Sequence, residues 1–351
     1  MSPDHDQPTT QVFWGGPDCP PRCLRDSLEK RIHAVPSDGE ILWLTYYFRD
    51  EKLALALLQA KQRGVRVRLA MEGNPRTGAV NSRILKLLMS NGGLGEGFRA
   101  IRHWLIDNRF FRLSRLHEKL YYFSHPVPSV LVGTFNPSGN LPEDPDLVRK
   151  IGDQDRGHNV LVNITDTHLV SVLYEHALHI FNATHGPWER YLPRNNRVIE
   201  SGKTRVLFFP RSKWSDFNDL FDNLGTSSTI RIAVSHFNDR GICKRLIGLA
   251  RQGVHIEILA HDTQRRVPSW VEEQMSLNGI SFHRYVHPEG LPMHNKFMLF
   301  ETPECNFLTF GSMNLSVRSL HANHELLMVT ESILLYQAFL NRWDEMLGDV
   351  N

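Results

Sequence analysis

Two stretches of the chain carry the same succession of apolar and polar positions. From Gly39 to Gly73 a short apolar run leads to an aromatic, Phe48. It is followed by a segment in which apolar residues recur three and four apart, marked by Leu55, Leu57 and Leu58. From Thr229 to His261 the order is the same, with Phe237 as the aromatic and Leu246, Ile247 and Leu249 in the periodic segment. Three-and-four spacing predicts an amphipathic helix. Each helix is expected to end at a glycine, Gly64 or Gly253, and to lead into a strand of alternating residues. Val65, Val67 and Leu69 mark that strand in one copy, and Val254, Ile256 and Ile258 in the other. Strand, helix and strand in this order predict a βαβ unit with parallel neighbours.

The duplication extends beyond the βαβ unit. Leu116 to Asn140 reads LHEKLYYFSHPVPSVLVGTFNPSGN, and Met293 to Ser319 reads MHNKFMLFETPECNFLTFGSMNLSVRS. Both carry H-x-K and then G-[TS]-x-N-x-S, so Gly133, Thr134, Asn136 and Ser138 answer to Gly311, Ser312, Asn314 and Ser316. In extended chain, positions i and i+2 share a face. His117 therefore projects with Lys119, and His294 with Lys296. If the copies pack about a pseudo-two-fold axis, two His, two Lys and two Asn converge on one pocket. The expected fold is α/β, two pseudo-repeated lobes, each a mixed sheet flanked by helices, with the site at their junction. Residues 1–12 are expected to be a flexible N-terminus, 13–190 one lobe, 191–203 a linker and 204–351 the second lobe. The stretch Asn74–Arg115 is longer than its counterpart after Asp262. Its run of Arg109, Phe110, Phe111, Arg112 and Arg115 is read as a solvated amphipathic segment or a guide for an anionic substrate.

The residue types at the expected pocket suit attack on phosphorus. A neutral imidazole is a competent nucleophile. A second, protonated imidazole can give a proton to the leaving oxygen and recover one from water or an alcohol. Two lysines and two amides can hold the non-bridging oxygens as charge accumulates, with Thr134, Ser138, Ser312 and Ser316 orienting them. No metal or cofactor is required by this scheme.

The doubled H-x-K with a following G-S-x-N resembles the phospholipase D superfamily. The resemblance spans roughly residues 13–343 in two repeats. It implies two α/β lobes and a covalent phosphohistidine. His117 and His294 would then be the nucleophile and acid–base pair, with His117 favoured as nucleophile. Lys119, Lys296, Asn136 and Asn314 would bind phosphate. The family aspartate that follows the lysine is replaced by Ser124 and by Glu301, the latter a candidate supporting carboxylate. Glu325 fits the acidic residue that often follows G-S-x-N and would orient a catalytic histidine. Asn159 occupies the equivalent place in the first copy.

Composition narrows the substrate. The 351 residues carry a formal net charge of +2 and 22% charged residues, a balance that argues against bulk nucleic-acid binding. A phospholipid or related diester is therefore the leading substrate, by hydrolysis or by phosphatidyl-type transfer. An endonuclease is the alternative, and an inactive scaffold the third reading. Cys19, Cys23, Cys243 and Cys305 lack a metal-site or disulfide pattern and are expected to be reduced thiols, which favours the cytoplasm. The polar segment Met1–Gln11 has no signal-peptide pattern and no long apolar run follows, so any membrane contact is expected to be peripheral. One chain supplies both halves of the site, so a monomer suffices. His176, His179 and His185 are read as surface or packing residues.

Overall fold

The computed structural model describes residues 11–102, 114–139, 152–153, 155–183, 198–210 and 215–350, with Asp146, Val148 and Asn196. Arg109, Phe110, Phe111 and Arg112 lie outside the described residues, as do His185 and residues 191–195 and 197 of the expected linker.

The first sheet has seven strands: β1 (Gln11–Gly15), β2 (Glu40–Thr45), β3 (Arg66–Glu72), β4 (Phe98–Ile101), β5 (Leu120–Phe123), β6 (Ser129–Gly133) and β7 (Asn159–Ile164), in the order β1-β7-β6-β5-β2-β3-β4. The second has eight: β8 (Ile199–Ser201), β9 (Thr204–Phe209), β10 (Thr229–Val234), β11 (His255–His261), β12 (Ser281–Tyr285), β13 (Lys296–Glu301), β14 (Asn306–Gly311) and β15 (Glu325–Thr330), in the order β12-β11-β10-β13-β14-β15-β9-β8. With β8 set aside, the two orders superpose strand for strand. In each, the βαβ pair is parallel (β2 with β3, β10 with β11) and the strand after H-x-K runs antiparallel to it (β5 or β13).

Helices α1 (Cys23–Ala34), α2 (Glu51–Gln62) and α3 (Ala79–Met89) cover the outer face of the first sheet. Helix α4 (Thr167–Asn182) follows β7. The second lobe has α5 (Ser215–Asn218), α6 (Arg240–Arg251), α7 (Ser269–Ser276), α8 (Val317–His321) and α9 (Ile333–Gly348). Helices α6 and α7 cover its outer face. Helices α4 and α9 share one continuous core with the inner faces of both sheets, through residues such as Leu173, Phe181, Phe339 and Trp343. The layers therefore run helix, sheet, helix, sheet, helix, and the inner helices join the two lobes.

The repeated helices start and stop as their sequences dictate. Asp50 and Asp239 cap α2 and α6, their side chains accepting from the Leu53 and Ile242 N–H groups at 2.8 and 2.9 Å. Gly64 and Gly253 follow the helices at φ +97° and +90°, a conformation costly for any residue with a Cβ. Three expectations need correcting. Leu55 faces solvent, 41% exposed, because Leu53, Leu57 and Leu58 define the buried stripe. Strand β1 begins at Gln11, inside the segment expected to be flexible. Strand β8 lies within the expected linker and pairs with β9, so the second sheet begins before residue 204.

Candidate active site

The lobes are joined by an exchange of backbone hydrogen bonds. Leu116 forms a parallel bridge with His324, and His158 forms one with Met293. The His117 N–H donates to the His324 carbonyl at 3.0 Å, and the His294 N–H donates to the His158 carbonyl at 3.0 Å. Each H-x-K segment is thus stitched to the start of a core strand in the opposite lobe. The residues that open those strands, Glu325 and Asn159, are carried onto the two histidines.

His117 Nδ1 lies 2.9 Å from Glu325 Oε2. The carboxylate is fully buried and accepts from Ser312 Oγ (2.6 Å), Ser319 Oγ (2.7 Å) and Asn323 Nδ2 (3.1 Å). Across the pseudo-axis, His294 Nδ1 lies 2.8 Å from Asn159 Oδ1, which also accepts from Thr134 Oγ1 at 3.1 Å. Thr134 and Ser312 do the same work. Each hydroxyl donates to the histidine's partner and accepts the next N–H of the same strand, Val160 at 2.9 Å or Leu326 at 3.1 Å. In both halves Nδ1 is taken by an acceptor, which leaves Nε2 for chemistry.

The glycines of the repeated element explain how those strands come so close. A Cβ on Gly133 would meet the Val160 carbonyl oxygen at 2.1 Å, and one on Gly311 would meet that of Leu326 at 2.2 Å. Only glycine permits the approach that delivers Asn159 and Glu325.

Lys119 and Lys296 flank the histidines, each Nζ donating to the carbonyl of its own histidine at 2.6 and 2.7 Å. Lys119 Nζ also lies 5.6 Å from the Tyr46 ring centre, and that ring meets His117 edge-on at 5.0 Å. Asn136 is buried and its Oδ1 accepts the Tyr47 N–H at 3.2 Å. Buried Asn314 Oδ1 and Ser138 Oγ have no protein partner among the described residues. Ser316 does something else: it caps α8 by accepting the Ser319 N–H at 3.3 Å. Glu301 lies apart from the group, at the far end of β13, paired with Arg231 Nη1 at 3.1 Å. Ser124 sits at the matching end of β5 and accepts the Glu40 N–H at 2.7 Å.

Burial governs the protonation states. It pulls His117 down to about 4 despite the Glu325 carboxylate, and His294 well below the usual imidazole value with help from Lys296, Arg266 and Lys119. It lowers Lys119 to about 7 and holds Lys296 well below the usual ammonium value, the latter aided by Lys119 and Arg266. Burial alone would raise Glu325, but His117, Lys119 and the Ser312 hydrogen bond outweigh it and leave the carboxyl below its usual value. At neutral pH both imidazoles are therefore neutral, with Nδ1–H of His117 donated to an ionised Glu325.

Several site residues escaped the sequence reading. His236 sits at the place in the second repeat that Tyr47 fills in the first, immediately before Phe237. Burial, Arg266 and Lys296 hold its imidazole neutral. The shared position was visible in the repeat. Arg266, Ser319 and Asn323 have no such pattern to mark them. Glu118, between His117 and Lys119, turns away from the pocket and pairs with His176 Nε2 at 2.9 Å, while His176 stacks on Phe208.

Two α/β lobes of one topology, their H-x-K segments meeting across the junction, define a phospholipase D-like protein. A family model described as cardiolipin synthase, phospholipase D-like domain, matches residues 36–140 and 221–347, and the chain belongs to that family. Among solved structures, phosphatidylserine synthase of Haemophilus influenzae Rd KW20 aligns with a TM-score of 0.67 at 11% identity, over 97% of this chain and 86% of that one. Polyphosphate kinase of Porphyromonas gingivalis aligns with a TM-score of 0.64 at 14% identity, over 97% of this chain and 50% of that one. The chain thus spans half the length of the kinase. No curated protein matches it by sequence.

Proposed function

We propose that this protein cleaves or exchanges phosphodiester bonds through a phosphohistidine on His117, with a phospholipid or related diester as substrate. The observation that carries the reading is the unequal support of the two histidines. Glu325 presents a carboxylate to Nδ1 of His117, which makes Nε2 more nucleophilic and stabilises the cationic phosphoimidazole that forms. Asn159 presents a neutral amide oxygen to His294, which orients the ring but stabilises its protonated form less than a carboxylate would, so protonated His294 is the stronger acid.

Nε2 of His117 attacks phosphorus, forming the N–P bond as the bond to the leaving oxygen breaks. His294 gives its Nε2 proton to that oxygen. Water or an alcohol then yields a proton to His294 and attacks phosphorus, and the N–P electron pair returns to His117. The negative charge of the bound diester raises His294 and both lysines toward their protonated forms, which the site disfavours when empty. Lys119, Lys296 and the side-chain amides of Asn136 and Asn314 supply the charge neutralisation and hydrogen bonds that metal ions provide in other phosphoryl-transfer sites.

Among the described residues no helix is long and apolar enough to cross a membrane. A lipid substrate would be met at the membrane surface. Turnover of bis(p-nitrophenyl) phosphate in EDTA, beside phospholipid vesicles and labelled DNA, tests the proposal. Activity on the chromogenic diester and on vesicles that disappears in His117→Ala and His294→Ala is the expected result. Turnover that survives both substitutions would remove the mechanism. Cleavage confined to DNA and falling steeply with salt would make the protein a nuclease.

A further inference from the structure

One buried cation has no part in the chemistry above. Arg342, the tenth residue of α9, is 2% exposed. Its Nη1 and Nη2 grip the two Asp18 oxygens at 2.6 and 2.9 Å, and Nη2 also donates to the Gly15 carbonyl at 3.1 Å. The guanidinium lies 5.5 Å from the centre of the Trp14 ring in β1. Nη2 further donates to Nδ1 of His158 at 2.9 Å. The chain passes so close there that a Cβ on Gly16 would meet Nη2 at 2.0 Å. A helix of the second lobe and the first strand of the first lobe are thus locked together around one imidazole. That ring is 1% exposed and meets Tyr285 edge-on at 4.7 Å. Burial and the guanidinium hold it down at about 3, so it stays a neutral acceptor.

The acid half of the site rests on His158. Its carbonyl accepts the His294 N–H and its N–H donates to the Pro292 carbonyl, both at 3.0 Å. Its neighbour Asn159 faces Nδ1 of His294. The nucleophile's half is built differently. Glu325 is gripped by three side-chain donors of its own lobe, and the tenth residue of α4, His176, pairs with Glu118. Asn159 accepts from Thr134 at 3.1 Å and reaches the Gly157 carbonyl at a long 3.4 Å. Its place therefore depends more on the backbone at His158, which Arg342 fixes from behind. We infer that Arg342 and His158 are positioning residues for the acid: they hold the start of β7 so that Asn159 binds the Nδ1 proton of His294 and leaves Nε2 to the leaving oxygen. The consequence for turnover rests on the diester-acting reading of the site. The tautomer of His294 does not, and it is read in the protein alone.

Proton–nitrogen correlation spectra of the imidazoles in the whole protein report those tautomers, with His117 and His294 assigned through their Ala variants. Both rings of the parent should carry the proton on Nδ1. Arg342→Met should shift His294 toward the Nε2–H form and leave His117 as it was. Single-turnover cleavage of a dialkyl phosphodiester should then fall at least about tenfold, while that of a p-nitrophenyl phosphodiester, whose leaving group needs no proton, falls less than about threefold. Asp18→Asn loosens the same clamp from its half-exposed end, so it should move both readouts the same way by less, and it serves if Arg342→Met does not fold. A His294 tautomer unchanged in both variants would overturn the positioning role. So would equal changes at His117 and His294, or equal losses on the two diesters, since a general strut gives either. If the parent cleaves neither diester, the diester-acting reading fails and the spectra alone decide the role of the clamp.

Discussion

Glu325 and Asn159 differ by one methylene, by a carboxylate against an amide and so by one charge, and they face equivalent histidines. Glu325→Gln should lower kcat on the order of a hundredfold or more, as loss of the carboxylate behind a catalytic histidine does elsewhere. A loss below about threefold would show that the carboxylate is not part of the machinery. Asn159→Asp tests the other half. An added carboxylate favours the imidazolium of His294, so the alkaline limb of the kcat profile should move to higher pH; an unmoved limb would contradict the acid role. Lys119 gives a third test. With its ammonium held at about 7 by burial, an empty site loses that proton as pH rises through neutrality. A bound anion favours the charged form, so binding takes up a proton above pH 7 and weakens as pH rises toward 9. A dialkyl phosphate, singly charged throughout, isolates the effect; an affinity flat from pH 6 to 9 would exclude it. At this scale the H-x-K and Asn pairs were legible because they repeat. Arg266 and Asn323 were not, because their importance comes from folding against residues far away in the chain.

The repeated G-[TS]-x-N element is a docking device between neighbouring strands. Gly133 and Gly311 leave room for a carbonyl of the adjoining strand, and Thr134 and Ser312 pin that strand by hydrogen bonds at both its backbone and its first side chain. Gly311→Ala forces the Leu326 carbonyl away and should cost about 1–3 kcal/mol by overpacking. Because Glu325 moves with it, activity should fall further than stability predicts; urea unfolding beside kcat measures both. The strands after H-x-K also explain the unusual Ser124 and Glu301. β13 runs from Lys296 to Glu301, so the two ends stand about 16 Å apart at ~3.3 Å per residue. A side chain at the far end is too distant to touch phosphate. Ser124→Asp and Glu301→Asp should each leave kcat/KM within about twofold, and a large gain would return those positions to the site. The elements themselves were readable from periodicity. Leu55 escapes that reading because the unbroken apolar run from Leu53 to Leu58 in α2 does not say which of its residues face inward.

For the whole molecule, duplication is a way of building one site from two incomplete ones. Neither lobe alone supplies a supported histidine: His117 needs Glu325 from the second, and His294 needs Asn159 from the first. The shared core around α4 and α9 and the two exchanged bridges hold the lobes in the one arrangement where both pairs close. The duplication was legible as matching strings, and with it the two-lobed α/β fold. The exchange was not, since it relates segments 208 and 135 residues apart that share no local pattern. The central claim is that two imidazoles act on one phosphorus with unequal duties. Rapid-quench mass spectrometry of His294→Ala with a p-nitrophenyl phosphodiester measures it directly. That leaving group departs without a proton, so the variant should accumulate a phosphoryl adduct on His117. An adduct on any other residue, or none while p-nitrophenolate is released in a burst, would contradict it.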